Sequence, residues 1–464
     1  MSSTKELKEK LFMKRKNTAL ILDDKKIESA DKFCEGYKEF LDVAKTEREA
    51  VDYTIGLLQK KGYAEFSPDG KYKAEDKIYL NNRGKAVIAA TIGSKPLQDG
   101  ARITAAHIDS PRLDLKPNPL YEDKEIALFK THYYGGIKKY QWTAVPLSLH
   151  GVIYKPDGSS VTVNIGEDDS DPVFCVTDLL PHLAADQMKR PLPEAIKGEE
   201  LNIVVGSRPF RDDKESELVK LNILSILNEK YGITEKDFVT AELEAVPTHK
   251  ARDIGFDRSM VGAYGQDDRV CSYTALMAAI DCGTPEKTTV TILTDKEETG
   301  SDGNTGLASS YFEYFIKDLS ACFGTHSRTV LSNSECLSAD VNAGFDPTFP
   351  DVLERNNAAY LNHGVVITKY NGARGKAGTS DANAEFVSRV CRLMDSKDIV
   401  WQTAELGKVD QGGGGTVASY IANLNVDVID VGVPVLSMHA PFETTAKLDI
   451  YMAYRAFLEF LRSK

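Results

Sequence analysis

The amino-acid sequence predicts an α/β fold that is interrupted by a β-rich insertion. Apolar runs typical of buried strands, at residues 87–92 and 288–293, have neighbouring stretches with helical apolar spacing. Between these runs, shorter strand-like segments are separated by Gly, Asp and Pro. A chain of 464 residues is also too long for one compact core. We therefore predict a discontinuous α/β domain of residues 1–112 and 246–464, with an inserted β-rich domain of residues 113–245.

Helices are predicted before the first buried strand and before the strand at 288–293. Residues 29–43 and 46–61 repeat apolar side chains at helical spacing, and Gly62 is a typical helix stop. Residues 269–280 show the same helical texture. The sequence therefore predicts a helical start to the chain and a helix leading into the second half of the α/β domain.

Further strands are predicted at residues 102–106, 365–367 and 426–431. The first of these ends next to His107, at the end of the strand where open α/β sheets place their chemistry. The last alternates apolar and acidic residues, so we expect it to be an edge strand or a half-exposed strand.

Composition disfavours several classes of function. The 42% of hydrophobic residues is ordinary for a globular protein, and no stretch approaches the roughly 20 apolar residues of a membrane-spanning helix. The net charge of −12 disfavours nucleic acid and anionic membranes as partners. The first residues are polar and mixed in charge, without the apolar core of a signal peptide. Together with seven cysteines that lack Cys-x-x-Cys spacing, this pattern predicts a cytoplasmic protein.

Five short segments, far apart in the chain, each contain a side chain able to ligate a metal ion. Histidines and carboxylates are common zinc ligands in hydrolytic enzymes. Two divalent ions roughly 3.5–4 Å apart can supply both an activated water and an electrophile for the carbonyl of an amide. The set therefore predicts a two-metal hydrolase. The candidate ligands are His107, Asp267, Glu298, Asp340 and His439.

Two of these segments contain a second acid beside the ligand. Side chains two residues apart in extended backbone share a face, so we expect Asp109 to hold the other imidazole nitrogen of His107. Taken alone, such a pair is more often an exposed surface feature. The two oxygens of Asp267 could bridge two ions, with Asp268 capping the helix or supporting the site. Either Asp alone also fits an ordinary helix N-cap.

Glu297 and Glu298 follow the apolar run at 288–293 closely. Neighbouring side chains point in different directions, so we assign Glu298 to the metal and Glu297 as the general base. The alternative is a charged surface loop that also contains Asp295 and Lys296.

Asp340 and His439 each follow a strand-like run. A lone Asp or His in such a place is more often structural than catalytic. The prediction depends on the same context recurring along the chain, with a polar residue placed behind an apolar run.

These motifs resemble those of the aspartyl-aminopeptidase family of metalloaminopeptidases, within the wider clan of di-zinc peptidases. The matching segments are His107-x-Asp109-Ser110-Pro111, Leu115-Lys116-Pro117, Glu297-Glu298, Ser338-x-Asp340, Gly412 to Thr416 and Ser437-Met438-His439. The resemblance implies the ligands and the base named above, a three-layer mixed-sheet catalytic domain and an inserted β-rich dimerisation domain. It also implies two divalent ions per subunit, Zn²⁺ or alternatively Co²⁺ or Mn²⁺, and a dodecameric homo-oligomer that acts on peptides.

Two elements of the resemblance concern the substrate. Lys369-x-Asn371 matches a Lys-x-Asn element that implies contact with an acidic substrate side chain, although a solvated Lys at a strand end is an equal alternative. Where the family sends a His into a neighbouring subunit's site, this chain has Asp186, which leaves His182 as the candidate substitute. A plain surface His is the alternative reading. The family's His-rich stretch after the metal-binding Asp340 is also replaced here.

The sequence thus predicts a zinc-dependent aminopeptidase that removes N-terminal residues from peptides, with acidic residues as a candidate preference. The runner-up is a di-metal amidase or deacylase of the same clan that acts on small N-acyl substrates. A non-catalytic assembly protein is a third hypothesis, which the complete set of ligands and base disfavours.

Overall fold

The computed structural model describes residues 3–13, 15–211, 214–372 and 374–464. The helices of this part of the chain are α1 (Thr4–Leu11), α2 (Asp24–Val43), α3 (Glu47–Lys60), α4 (Leu218–Tyr231), α5 (Gln266–Asp281), α6 (Tyr311–Cys322), α7 (Ser327–Ser332), α8 (Ala384–Ser396), α9 (Ala418–Ala422) and α10 (Lys447–Leu461). The three helices predicted from periodicity correspond to α2, α3 and α5. A capping box between Thr46 and Glu49 starts α3, and Gly62 follows its end with a φ of 85°.

The strands fall into three stretches of the chain. Before residue 110 they are β1 (Ala64–Glu65), β2 (Lys77–Asn82), β3 (Ala86–Thr91) and β4 (Ala101–His107). The middle stretch contains β5 (Arg112–Asp123), β6 (Ile126–Tyr134), β7 (Leu147–Tyr154), β8 (Ser160–Ile165), β9 (Cys175–Val176), β10 (Ile203–Gly206) and β11 (Ala241–Pro247). The last stretch contains β12 (Arg252–Ile254), β13 (Met260–Ala263), β14 (Thr288–Thr294), β15 (Glu335–Ser338), β16 (Asn342–Ala343), β17 (Val365–Thr368), β18 (Trp401–Thr403), β19 (Asp427–Gly432), β20 (Pro434–Leu436) and β21 (Glu443–Ala446).

Nine strands of the described chain form a mixed sheet in the order β1-β2-β3-β14-β4-β15-β19-β17-β18. Its central strands β14, β4, β15 and β19 run parallel. Successive side chains of a strand face opposite layers. Val87 belongs to an apolar cluster that includes residues of α2, α3, α5, α8 and α10, whereas Ile88 belongs to a second cluster that includes residues of α6, α7 and α9. This arrangement confirms the predicted three-layer, mixed-sheet α/β architecture.

A second sheet is built from the middle stretch of the chain. Seven strands, counted within the described residues, pair in the order β8-β7-β11-β5-β6-β10-β9. They enclose a separate apolar core with Trp142 fully buried in it, and α4 packs against this core through Val219. Every strand of this sheet lies between Arg112 and Pro247. The division of the chain into domains at residues 112/113 and 245/246 stays a prediction, as does a dimerisation role for this sheet.

A third, smaller sheet was not predicted. In the described residues it contains β12, β13, β21, β20 and β16, and the turn between β20 and β21 contains His439. These strands are two to four residues long, too short to give a clear periodic pattern in the sequence.

The prediction of an edge strand at residues 426–431 is wrong. The corresponding β19 lies between β15 and β17, and its central residues are buried. The two acids that suggested exposure have local partners. Asp427, at the start of the strand, accepts hydrogen bonds from Asn383 and Arg389. Burial raises the pKa of Asp430 to about 6, while hydrogen bonds from Ser338 and Thr416 oppose the shift.

Candidate metal centre

Three candidate ligands lie at or just beyond the carboxyl ends of central strands in the nine-stranded sheet. His107 is the last residue of β4, while Glu298 follows β14 and Asp340 follows β15. These three strands are parallel neighbours, and His107 lies opposite Thr294 in the register of β4 and β14. Their carboxyl ends therefore bring the three side chains together, as expected for an open α/β sheet.

The other two candidate ligands reach the same place from outside the sheet. Asp267 lies at the start of α5, and His439 lies in the turn between β20 and β21. Oδ1 of Asp267 is 3.1 Å from Nε2 of His107, and its Oδ2 is 3.1 Å from Nε2 of His439. Glu298 Oε1 lies 3.4 Å from His439 Nε2, and Asp340 Oδ1 lies 4.0 Å from His107 Nε2. The structure thus brings all five candidate ligands together around one carboxylate.

Hydrogen bonds define which nitrogen of each imidazole faces the site. Nδ1 of His107 is 3.0 Å from the main-chain oxygen of Asp109, and Nδ1 of His439 is 2.7 Å from that of Gly136. A carbonyl oxygen can only accept, so each Nδ1 carries the proton and donates it. In the neutral ring, Nε2 then points a lone pair at an oxygen of Asp267, which is also an acceptor. A cation held by both facing atoms would relieve this conflict.

Several buried oxygen atoms at the site lack a hydrogen-bond donor. Among the described residues, Oδ1 of Asp267, Oε1 of Glu298 and both carboxylate oxygens of Asp268 are of this kind. Buried, unpaired carboxylate oxygens are costly unless a cation is present. Although burial opposes it, the carboxylate of Asp267 raises the pKa of His439 to about 10. The nitrogen and oxygen atoms around Asp267 therefore fit a divalent cation such as Zn²⁺.

Asp109 supports the site differently from the prediction. Its main-chain oxygen, not its carboxylate, accepts the hydrogen bond from His107, and the carboxylate Oδ1 is 3.4 Å from Nδ1. The carboxylate instead accepts hydrogen bonds from the main-chain N–H groups of Glu297 at 3.1 Å and Glu298 at 3.2 Å. The hydroxyl of Tyr134 donates a third hydrogen bond of 2.7 Å to Oδ2. Asp109 therefore positions the loop that carries both glutamates.

Glu297 lies beside the ligands with a free carboxylate. Its side chain makes no hydrogen bond or ion pair within the part of the chain that the structure describes. Burial raises the pKa of Glu297 to about 7, with positive charge on His107 opposing the shift and the charges of Asp109 and Asp267 adding to it. A carboxylate with a pKa near neutrality and no competing donor suits a group that takes up and releases a proton.

Glu443 is a residue of this site that the sequence prediction missed. It is 1% exposed, and its Oε1 accepts a hydrogen bond of 2.7 Å from the main-chain N–H of His439. Its Oε2 accepts a second one of 3.1 Å from the main-chain N–H of Asp267. The spacing of four residues between His439 and Glu443 was the available signal in the sequence. The carboxylate fixes two candidate ligands from different elements relative to each other.

Asp268 lies close enough to the candidate ligands to bind a metal ion itself, beyond the helix-capping role that the sequence also allowed. It is fully buried, and a carboxylate oxygen of Asp268 lies within 4.8 Å of ligand atoms of both His107 and Asp340. The structure therefore places a sixth possible ligand on the His107 side of Asp267.

A cavity of about 590 Å³ opens beside His439. Its lining is mainly apolar, and within the described residues Lys138 contributes an ammonium group and Asp346 a carboxylate to it. The remaining lining residues are Gly136, Ile137, Tyr140, Gln141, Ala343, Gly344, Phe349, Val352, Leu353, Val435, Leu436, Ser437 and Met438. The cavity has the volume to hold an amino-acid side chain next to the candidate ligands.

The two predicted substrate-binding residues lie elsewhere. His182 is exposed in a short 3₁₀ turn at Pro181–Leu183, in the stretch that forms the seven-stranded sheet. Lys369 is exposed directly after β17 and does not line the cavity beside His439. The structure of the single chain brings neither of them to the candidate ligands, and their roles stay predictions.

Comparison with known proteins identifies the family. The sequence profile described as Aminopeptidase I zinc metalloprotease (M18) matches residues 40–461. The chain belongs to the M18 family of zinc aminopeptidases. A probable M18 family aminopeptidase 1 from Clostridium acetobutylicum is 50% identical over 461 residues, which cover 98% of this chain and 99% of the relative. This confirms the resemblance to metalloaminopeptidases that the motifs indicated.

Solved structures of relatives have the same fold. The crystal structure of an M18 aminopeptidase from Thermotoga maritima has a TM-score of 0.93 at 45% identity, covering 98% of this chain and all of that one. The S. cerevisiae mApe1 dodecamer has a TM-score of 0.76 at 22% identity, covering 93% of this chain and 97% of that chain, which shows the fold alone.

This M18 aminopeptidase is therefore a zinc-dependent hydrolase that removes N-terminal residues from peptides. Among the residues that the structure describes, none of its helices combines the length and hydrophobicity needed to cross a lipid bilayer.

Proposed function

We propose that this aminopeptidase works with two divalent metal ions, Zn²⁺ in the first place and Co²⁺ or Mn²⁺ as alternatives. His107 and Asp340 would hold one ion, and His439 and Glu298 the other, with Asp267 shared between them. The observation that carries the proposal is the placement of Asp267, whose two oxygens each lie 3.1 Å from a different imidazole nitrogen. Two bound ions would activate a water molecule and polarise the scissile carbonyl.

Glu297 is the general base of this mechanism. Its carboxylate takes a proton from the attacking water and delivers it to the nitrogen of the departing amine, so one residue serves both proton transfers. Asp109 supports this role because it holds the main chain of Glu297 and Glu298 through two hydrogen bonds.

The cavity beside His439 is the proposed site for the side chain of the N-terminal residue. Its mainly apolar lining favours apolar side chains of substrates, with Lys138 able to pair with an acidic one. The candidate preference for acidic residues through Lys369 lacks support from this cavity, since Lys369 lies outside its lining. The free α-amine would bind at the metal ions in its neutral form.

The larger organisation is part of the same proposal. We infer a division into a catalytic domain of residues 1–112 and 246–464 and an inserted domain of residues 113–245 that mediates dimerisation. A relative of the same fold is a dodecamer, which supports a homo-oligomer here. In such an assembly His182 could reach a neighbouring site. We also propose a cytoplasmic location with peptides as substrates, as the sequence predicts.

The test is an assay of the purified protein with aminoacyl-p-nitroanilides, after chelation and after addition of zinc or cobalt. We expect chelation to abolish hydrolysis, metal to restore it, and metal analysis to give two ions per chain. Matched N-acetylated substrates should resist cleavage, because the free amine is part of the recognised group. Cleavage of the blocked substrates alone would contradict an aminopeptidase and favour a deacylase.

A further inference from the structure

A single tripeptide from the seven-stranded sheet contacts three parts of the candidate metal centre. Tyr134, Gly135 and Gly136 stand at the end of β6 and in the turn that follows it. The proposed base Glu297 and all five candidate ligands come from other stretches of the chain, before β5 or after β11. The tripeptide therefore links the inserted sheet to the site, and the motif analysis of the sequence did not identify it.

The side chain of Tyr134 is held firmly in its place. Its hydroxyl donates a hydrogen bond of 2.7 Å to Oδ2 of Asp109. The guanidinium of Arg112, which lies directly opposite Tyr134 in the register of β5 and β6, is 3.9 Å from the ring centre. Arg112 is itself fixed by the buried carboxylates of Glu47 at 3.3 Å and Glu244 at 3.2 Å. The direction of the hydroxyl is thus set by the contact of the ring with Arg112 and by the hydrogen bond to Asp109.

Gly135 lies close to Glu298, so a side chain there would crowd this candidate ligand. A Cβ atom at Gly135 would lie 3.3 Å from Cβ and from Oε2 of Glu298, and 3.2 Å from Cγ of Pro111. Its φ of 74° is also a conformation that favours glycine. The close approach lets the tripeptide pack directly against a candidate ligand.

Gly136 completes the set of contacts. Its main-chain oxygen accepts the hydrogen bond of 2.7 Å from Nδ1 of His439, which leaves Nε2 facing Asp267. Partners of this kind fix the ring orientation and the tautomer of a metal-binding histidine.

We propose that the segment Tyr134–Gly136 is a positioning element for catalysis, and that Tyr134 is its key positioning residue. The Tyr134 hydroxyl holds the Asp109 carboxylate against the main-chain N–H groups of Glu297 and Glu298, so that the base and one ligand share a fixed geometry. This inference rests on the proposed function. It gives the inserted sheet a direct part in the chemistry of its own subunit, separate from any role in assembly.

The test compares Tyr134→Phe with the matched control Tyr133→Phe. The first change removes only the hydroxyl and keeps the ring that stacks on Arg112. Tyr133 is the preceding residue of the same strand, is 39% exposed and makes no contact with the metal-centre residues. Both variants are measured for kcat and KM, for zinc affinity by competition with a chromophoric chelator, and for the melting temperature of the metal-free protein.

We expect Tyr134→Phe to lower kcat and zinc affinity by about 10-fold each, the lower end of the effect of losing a ligand's own partner, because Tyr134 acts on the ligand through Asp109. KM should change little, and the metal-free melting temperature should stay within about 2 °C of wild type. Tyr133→Phe should match wild type throughout. A bound Co²⁺ ion gives a further readout, because an altered ligand geometry in Tyr134→Phe should shift its visible absorption.

Two outcomes would overturn the inference. One is a Tyr134→Phe enzyme whose kcat, zinc affinity and cobalt spectrum match those of Tyr133→Phe. The other is a Tyr134→Phe enzyme that loses activity and whose metal-free melting temperature also falls clearly below that of wild type, which would indicate a structural role only. Failure of the proposed function is distinguishable from both, because wild type and Tyr133→Phe would then also lack metal-dependent hydrolysis or the pair of ions.

Discussion

The carboxylate of Asp109 accepts a hydrogen bond from the main-chain N–H of Glu297, with 3.1 Å between Oδ1 and the nitrogen. The base is therefore oriented through its main chain, and its own carboxylate stays free of partners within the described residues. Side-chain chemistry at Glu297 can be altered without breaking this contact.

Replacing the carboxylate of Glu297 by an amide separates proton transfer from structure. In Glu297→Gln, kcat should fall by roughly 10²–10⁴-fold, the usual contribution of a positioned acid–base group. Zinc content and melting temperature should match wild type, because the main-chain hydrogen bond to Asp109 is retained. The control is Glu313→Gln, which alters an exposed pair with Lys317. A Glu297→Gln enzyme that keeps most of the wild-type rate would exclude this residue as the base.

Glu443 should be important for metal binding, because it holds the main chain of the two candidate ligands Asp267 and His439. In Glu443→Gln, one oxygen becomes an NH₂ group that faces a main-chain N–H of Asp267 or His439, so one hydrogen bond is replaced by repulsion. We expect zinc affinity to fall by roughly 10–100-fold. Competition with a chelator measures the change, and Glu459→Gln on α10 is the control. Unchanged affinity in Glu443→Gln would contradict the role.

His249 should make the stability of the protein depend on pH. Burial, aided by the charge of Lys45, lowers the pKa of His249 from 6.5 to about 4. Between these values the unfolded chain binds a proton that the folded chain does not, so stability falls as the pH decreases from 6.5 to 4. Above pH 6.5 the residue is neutral in both states and has no effect.

The measurement is the melting temperature as a function of pH for His249→Phe and wild type. Phe keeps an aromatic contact with Phe442, whose ring centre is 4.9 Å from that of His249. The variant should lose less stability than wild type on acidification, whereas the exposed control His132→Phe should follow the wild-type curve. Parallel curves for His249→Phe and wild type would show that His249 does not titrate in this way.

The cavity beside His439 leads to a prediction about specificity. Leu, Met and Phe p-nitroanilides should be cleaved with higher kcat/KM than the Asp and Glu substrates, because the lining is mainly apolar. Lys138→Met should lower the remaining activity on acidic substrates selectively, since Lys138 is the cationic group of the lining within the described residues.

Two lysines outside the cavity complete this experiment, Lys139 as a matched control and Lys369 as the rival candidate. Lys139→Met changes the next residue, whose Nζ lies over the ring of Tyr133, and should leave the ratio of acidic to apolar activity unchanged. Lys369→Met tests the residue that the family resemblance suggested. A selective loss on acidic substrates in Lys369→Met, with Lys138→Met unaffected, would reverse the assignment.

Much of the α/β architecture follows from the sequence because it depends on local patterns. Buried strands such as β14 are long apolar runs, and amphipathic helices such as α3 have a clear period and a capping box. The prediction of an exposed β19 was wrong because it depended on contacts that are not local. The residues that hydrogen-bond to its two acids, Asp427 and Asp430, come from distant segments of the chain.

The candidate ligands could be found from the sequence as a set, because four of them follow strand-like runs and Asp267 stands at a helix start, although each residue alone has a more common structural role. Only the tertiary structure decided how they are held. The carboxylates of Glu443 and Asp109 act through the main chain of other residues, and a main-chain N–H is present at every position except proline, so it leaves no signature in the sequence. Likewise, the tripeptide Tyr134–Gly136 meets His439 across 303 residues of chain, a contact that exists only once the seven-stranded sheet has docked beside the nine-stranded one.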